Sequence, residues 1–127
     1  MSYSYEIKEV GSCIKIEISG EYIAGTELED NVQLWGEVLR TCEGKATNCI
    51  LAIWKIPGYL PTMAAYNLAE TAEEEGWAKN FKIAIVYLDE ERYQDGLLAE
   101  TFASDHGFNV KMFLDEKEAK EWLMTSS

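Results

Sequence analysis

Only a few side chains in this 127-residue chain could carry chemistry: the single histidine His106, the cysteines Cys13, Cys42 and Cys49, two acidic runs, and the hydroxyl of Thr62 in "PGYLPTM". Composition allows a Ser-His or Cys-His nucleophilic pair, but no recognised motif for one is present. His106 stands just before Gly107 at a predicted helix end, where a histidine complements the helix dipole. Cys42 and Cys49 fall across a predicted helix end and strand start, without the close ligand pairs of a structural zinc site, and both suit buried apolar positions. The runs "AEEEG" and "LDEER" lack the alternating oxygen ligands of an EF-hand loop and read as solvated helix faces. "PGYLPT" has one glycine, whereas a dinucleotide fingerprint needs several and a P-loop ends in Gly-Lys-Ser/Thr. The residues therefore predict no catalytic group, no metal site and no cofactor, and the chain is not expected to be an enzyme.

"PGYLPTM", Pro57 to Met63, supports two readings. Its prolines and glycine suit a rigid connector, with Thr62 capping or opening the next helix. Tyr59 and Leu60, however, are large apolar residues in a loop at the carboxyl end of a predicted strand, an edge where α/β sheets commonly bind ligands. On that reading Tyr59, Leu60, Thr62, Met63 and Tyr66 form a contact surface. Four tryptophans and seven tyrosines add material for an interface. Trp35 and Trp122 fall on helix stripes and are expected in the core. Trp54, Trp77 and Tyr59 could gather as an aromatic rim at one end of the sheet, open to a partner helix or an apolar small molecule.

Eleven basic against twenty-three acidic residues give a net charge of −12, a surface that a nucleic-acid backbone would repel. No window approaches the roughly 20 apolar residues of a membrane span, and "MSYSYEIKEV" lacks the apolar stretch of a signal peptide. Three cysteines, an odd number with no Cys-x-x-Cys pair, predict a reduced, cytoplasmic protein. The length, with 47% hydrophobic residues, predicts a single domain spanning 1–127.

Hydropathy patterning supplies the elements that must position these residues. "YSYEIKEV" and "CIKIEIS" alternate, separated by Gly11 and Ser12, and read as a hairpin. In the next helix Leu28, Val32, Trp35, Leu39 and Cys42 make one stripe, started by a capping box of Thr26 and Glu29 and ended by Gly44. "CILAIWKI" and "FKIAIVYL" are apolar on both faces, as strands covered by helices on each side require. Between them "TMAAYNLAETAEEEGW" reads as a helix with Ala65, Leu68, Ala69 and Ala72 inward and Glu73, Glu74 and Glu75 outward. A third helix ends at Gly107, "NVKMFL" is a last strand, and Asp115 with Glu118 caps a terminal helix carrying Ala119, Trp122 and Leu123. The predicted fold is α/β: a mixed sheet of about five strands, a hairpin followed by parallel strands, layered with four helices.

The closing run, with "KIAIVYL", "ETFASDHG", Phe113, Asp115, Ala119, Trp122 and Leu123, together with the opening hairpin, resembles the STAS domain (sulfate transporter and anti-sigma factor antagonist), in particular its SpoIIAA-like bacterial branch. The resemblance implies that the loop after the third strand and the following helix start form a recognition surface. In anti-sigma factor antagonists this spot carries Asp-Ser-Ser-Gly, whose first serine a partner kinase phosphorylates. Here Pro61 takes the place of the aspartate, Thr62 of that serine, Met63 of the second serine and Ala64 of the glycine. Thr62 is thus the one candidate phosphosite in the motif. The implied function is a non-enzymatic regulatory module that binds a protein partner, a kinase or anti-sigma-like regulator, with a homodimer as a further expectation. The more distant likeness of STAS domains to lipid-binding folds gives the alternative, a carrier or sensor of a small apolar ligand.

Overall fold

The structure, a computed structural model, describes residues 3–21, 25, 27–45, 47–56, 62–74, 77 and 80–125. Its elements follow the predicted order: β1 (Tyr3–Val10), β2 (Cys13–Gly20), α1 (Glu27–Lys45), β3 (Cys49–Trp54), α2 (Thr62–Glu74), β4 (Lys82–Tyr87), α3 (Glu90–Asp105), β5 (Asn109–Phe113) and α4 (Glu116–Leu123). The five strands form one sheet in the order β1-β2-β3-β4-β5. β1 runs antiparallel to β2, and every other neighbouring pair is parallel. Gly11, at φ 62°, supplies the positive φ that a two-residue hairpin turn needs at its first position, and Val10 pairs with Cys13 across it.

Strand order follows chain order, so crossovers of one hand place their helices on the same face of the sheet. The side chains divide accordingly. Ile16, Ile18, Ile50, Ala52, Ile83 and Ile85 share one cluster with Leu34, Val38 and Cys42 of α1. Leu51, Ile53, Ala84, Val86 and Phe113 point the other way, onto Ala119, Trp122 and Leu123 of α4. The double-sided apolar runs of β3 and β4 are thus explained, because each alternates between the two clusters.

The buried line of α1 differs from the predicted stripe. Leu34, Val38 and Cys42 are fully buried in the sheet-facing cluster, with Leu39 beside them, and Asn31 is buried as well. Leu28, Val32 and Trp35 are only half-buried, and Val32 and Trp35 face α2. The sequence stripe merged two neighbouring contact lines, one for the sheet and one for the adjacent helix. Gly44 does not stop α1, which continues to Lys45. Thr26, the expected cap, lies outside the described residues.

The cap of α4 and the stop of α3 match their signals, and α3 has a cap of its own at Asp89. Asp89 and Asp115 cap α3 and α4 by accepting from the backbone N–H of Arg92 and Lys117. At the end of α3, Gly107 adopts φ 84°, its N–H reaches Ser104 O at 2.9 Å, and Phe108 N–H reaches Ala103 O at 2.9 Å. This is the paired bonding of a Schellman motif, which only a left-handed residue after the cap permits.

Candidate functional site

Of the predicted contact residues, Tyr59 and Leu60 lie outside the described residues. Thr62 is the first residue of α2, with its side chain outside the description. Met63 is 67% exposed and Tyr66 38%. Three positions apart on one helix, they are surface neighbours. The ring of Tyr66 meets Phe102 edge-on at 5.4 Å and His106 at 6.0 Å. A hydrogen bond with Glu70, one turn further along α2, pushes the Tyr66 phenol pKa up by favouring its neutral form. α3 therefore braces one edge of Tyr66, while Met63 projects into solvent. Phe102 as a neighbour of this surface was not foreseen, because α2 and α3 are brought together by the sheet and by nothing local.

His106 is the C-cap residue of α3, at the helix end where its position predicts it. Its Nδ1–H donates to the carbonyl of Phe102 at 2.9 Å, which also accepts from the His106 backbone N–H. The first turn of α2, "TMAA", contains no acidic residue, whereas α3 begins with Glu90 and Glu91 and α4 with Glu116 and Glu118. The partial positive charge at the start of α2 is thus not offset by first-turn carboxylates of its own.

The tryptophans do gather, but inside. Trp54 and Trp77 are buried, at 5% and 8% exposure, around a half-buried Trp35. Trp35 stacks on Trp54 at 6.4 Å and meets Trp77 at 6.3 Å, and Trp77 packs edge-on against Phe81 at 4.9 Å. Trp54 and Trp77, expected on an exposed rim with Tyr59, are therefore part of a core cluster, since large rings on facing elements lose more water contact by packing together than by lining an edge, and Tyr59 lies outside the described residues.

Beside this cluster lies a partly open apolar cavity of about 120 Å³, between α1, α2, α3 and strands β4 and β5. Small residues create it: Gly36 on α1, Ala69 and Ala72 on α2, and Ala99 and Ala103 on α3. Close-packed interiors rarely leave such a space. It is smaller than the few hundred Å³ that a lipid-carrier reading requires.

The cysteines correct two expectations, that the chain is reduced and that Cys49 is a buried apolar residue, since Cys49 is half-buried and bonded. Cys13 and Cys49 form a disulfide with their Cα atoms 4.6 Å apart. The pairing follows from register: both residues sit at the starts of adjacent parallel strands, one position before the Ile14–Ile50 pair. Only knowledge of that register could have matched them. Cys42 is the free cysteine, fully buried, and burial pushes its thiol pKa up to about 11. A thiol neutral at pH 7 and closed to solvent makes a poor nucleophile. Among the described residues no three His, Cys, Asp or Glu side chains are grouped to hold a metal ion, and no helix is long and apolar enough to cross a membrane.

The fold can be set beside known proteins. No protein-family model matches the chain, and no curated protein sequence matches it. Among solved structures, the crystal structure of an anti-sigma factor antagonist from Mycobacterium paratuberculosis is similar, with a TM-score of 0.64, covering 98% of this chain and 96% of that one at 13% identity. The chain has the STAS fold. That fold accounts for the hairpin, the parallel strands that follow and the four helices, and the likeness runs from one end of the chain to the other. Within the STAS fold described here, the start of α2 presents Met63 and Tyr66 on one side, and the same helix closes the apolar cavity on the other.

Proposed function

We propose that this chain works as a single STAS-type domain, residues 1–127, that regulates by binding a protein partner, with the start of α2 as the recognition surface. Near-complete coverage by an anti-sigma factor antagonist fold is the observation that carries this reading. Exposed Met63 and Tyr66 give the surface apolar and aromatic anchors, the side-chain types that dominate interface energetics. Tyr59 and Leu60, which precede α2 in the chain, extend the same contact. The partner is a kinase or an anti-sigma-like regulator, and the module works without chemistry of its own.

Thr62 is the regulatory position. A phosphate there would sit at the first residue of α2, where the helix dipole favours added negative charge and no first-turn carboxylate opposes it. The same charge would place a solvated dianion beside Met63, and an apolar partner surface would be expelled.

Affinity capture from the native cell tests both parts. Wild-type protein is expected to retain a specific partner that Met63→Asp and Tyr66→Asp lose, while Glu118→Gln on α4 keeps it. Thr62→Glu is expected to weaken the recovered complex at least tenfold, with phosphate on Thr62 found by mass spectrometry. Equal recovery by wild type and both α2 variants would reject the surface. A complex indifferent to Thr62→Glu would reject the switch and leave the surface standing.

A further inference from the structure

The cavity behind α2 plays no part in partner binding at the helix start, and its chemistry points to a different occupant. We propose that it is a binding site for a small, uncharged, apolar molecule about the size of one aromatic ring. Its volume of about 120 Å³ has room for about one aromatic ring and not for a lipid chain with its headgroup, and its partly open mouth gives such a molecule a way in. None of its lining side chains is charged, and Thr71 carries the lone hydroxyl among them, so a charged ligand would lose its water without compensation.

The walls also explain why the space persists. Trp35 and Trp77 hold each other edge-on at 6.3 Å on one side, and Phe108 is fixed on the other by its backbone bond to Ala103. Rings at these places offer faces and edges to a second aromatic group. Gly36, Ala72 and Ala103, which cannot reach across the gap, provide the room. The inference does not rest on the proposed partner surface, since the two lie on different sides of α2.

Benzene and toluene, titrated into the whole protein and followed by thermal unfolding and methyl NMR, provide the test. At about ten times its dissociation constant, either should raise the unfolding midpoint by about 3–6 °C. The methyl signals of Ala99, Ala103 and Met112 should shift saturably. Ala103→Leu, which fills the space, should abolish both responses, and Ala72→Leu does the same from the opposite wall if the first variant does not fold. Wild-type protein that shows neither a midpoint change nor methyl shifts would overturn the proposal, as would undiminished responses in a folded filled variant. Palmitate shifting the same methyls would overturn the size limit. If neither variant folds, the wild-type methyl shifts decide.

Discussion

The two faces of the sheet are built by opposite rules. On the α4 face a small cluster of Leu51, Ile53, Ala84, Val86, Phe113 and Ala119 is held down by directed bonds at its margins. Lys82 Nζ donates to Trp122 O at 2.6 Å and to Thr125 O and Oγ1 at 2.8 Å, fastening the end of α4 to the start of β4. Lys15 reaches Glu116 at 3.0 Å near the beginning of the helix. The Cys13–Cys49 disulfide joins β2 to β3, and both residues alternate onto this face. On the other face three helices cover a much larger cluster, joined mainly by apolar and aromatic packing, and they leave a cavity. An eight-residue helix with little apolar surface needs clamps, whereas three long helices can forgo some packing and keep room for other uses.

The contrast can be broken most forcefully on the clamped face. Phe113→Ala removes a ring that is 7% exposed and packs on Trp122 at 5.7 Å, and is expected to cost about 3–5 kcal/mol in urea unfolding. A loss below about 1 kcal/mol would mean that this face is loosely packed. Reduction of Cys13–Cys49, whose partners lie 36 residues apart, should lower stability by about 2–4 kcal/mol, read from the urea midpoint with and without reductant.

A matched pair of substitutions compares the faces directly. Ala119→Leu enters a site with 0% exposure and should cost about 1–3 kcal/mol by overpacking. Ala103→Leu points into the cavity and should lie within about 0.5 kcal/mol of wild type or be stabilising. Two glycines sharpen the picture on the three-helix face itself. A Cβ on Gly96 would stand 2.6 Å from the ring of Tyr87, so Gly96→Ala must displace that ring and is expected to destabilise by about 1 kcal/mol or more. At Gly36 the nearest atom is Arg40 Nη1 at 3.6 Å, and Gly36→Ala should gain about 0.5–1 kcal/mol from helix propensity. Thermal unfolding of the two variants should therefore move in opposite directions.

The smallest expected effect is electrostatic. Hydrogen bonds from Lys15 and Lys120 hold the Glu116 carboxyl below its ordinary value of 4.5. A carboxyl depressed in the folded state stabilises above its unfolded pKa and loses that contribution as pH falls through the lower, folded value. The loss should thus begin near pH 5 and continue below 4.5. Because Glu116 is 36% exposed, solvent screening limits it to a few tenths of a kcal/mol. Glu116→Gln should flatten that part of the pH–stability profile.

Local signals were read from the sequence with little loss. The turn at Gly11, the cap at Asp115 and the stop at Gly107 each depend on residues within a few positions, whereas Gly44 does not stop α1, and patterning carries the element order. What escaped depends on contacts between distant segments. The α1 stripe blended a line facing the sheet with one facing α2, since both are apolar and only packing separates them. Cys13 and Cys49 meet through strand register, and Tyr66 meets Phe102 and His106 through the placing of α2 on α3. The cavity is written as a scatter of glycine and alanine on three helices, a pattern that ordinary helix composition also produces.

Hydrogen exchange of the wild-type protein with and without the captured partner addresses the central claim most directly. The account predicts added protection in α2, residues 62–74, strongest in its first two turns, with α4, residues 116–123, unchanged. Protection confined to α4 and its clamps, with α2 exchanging as in the free protein, would contradict it.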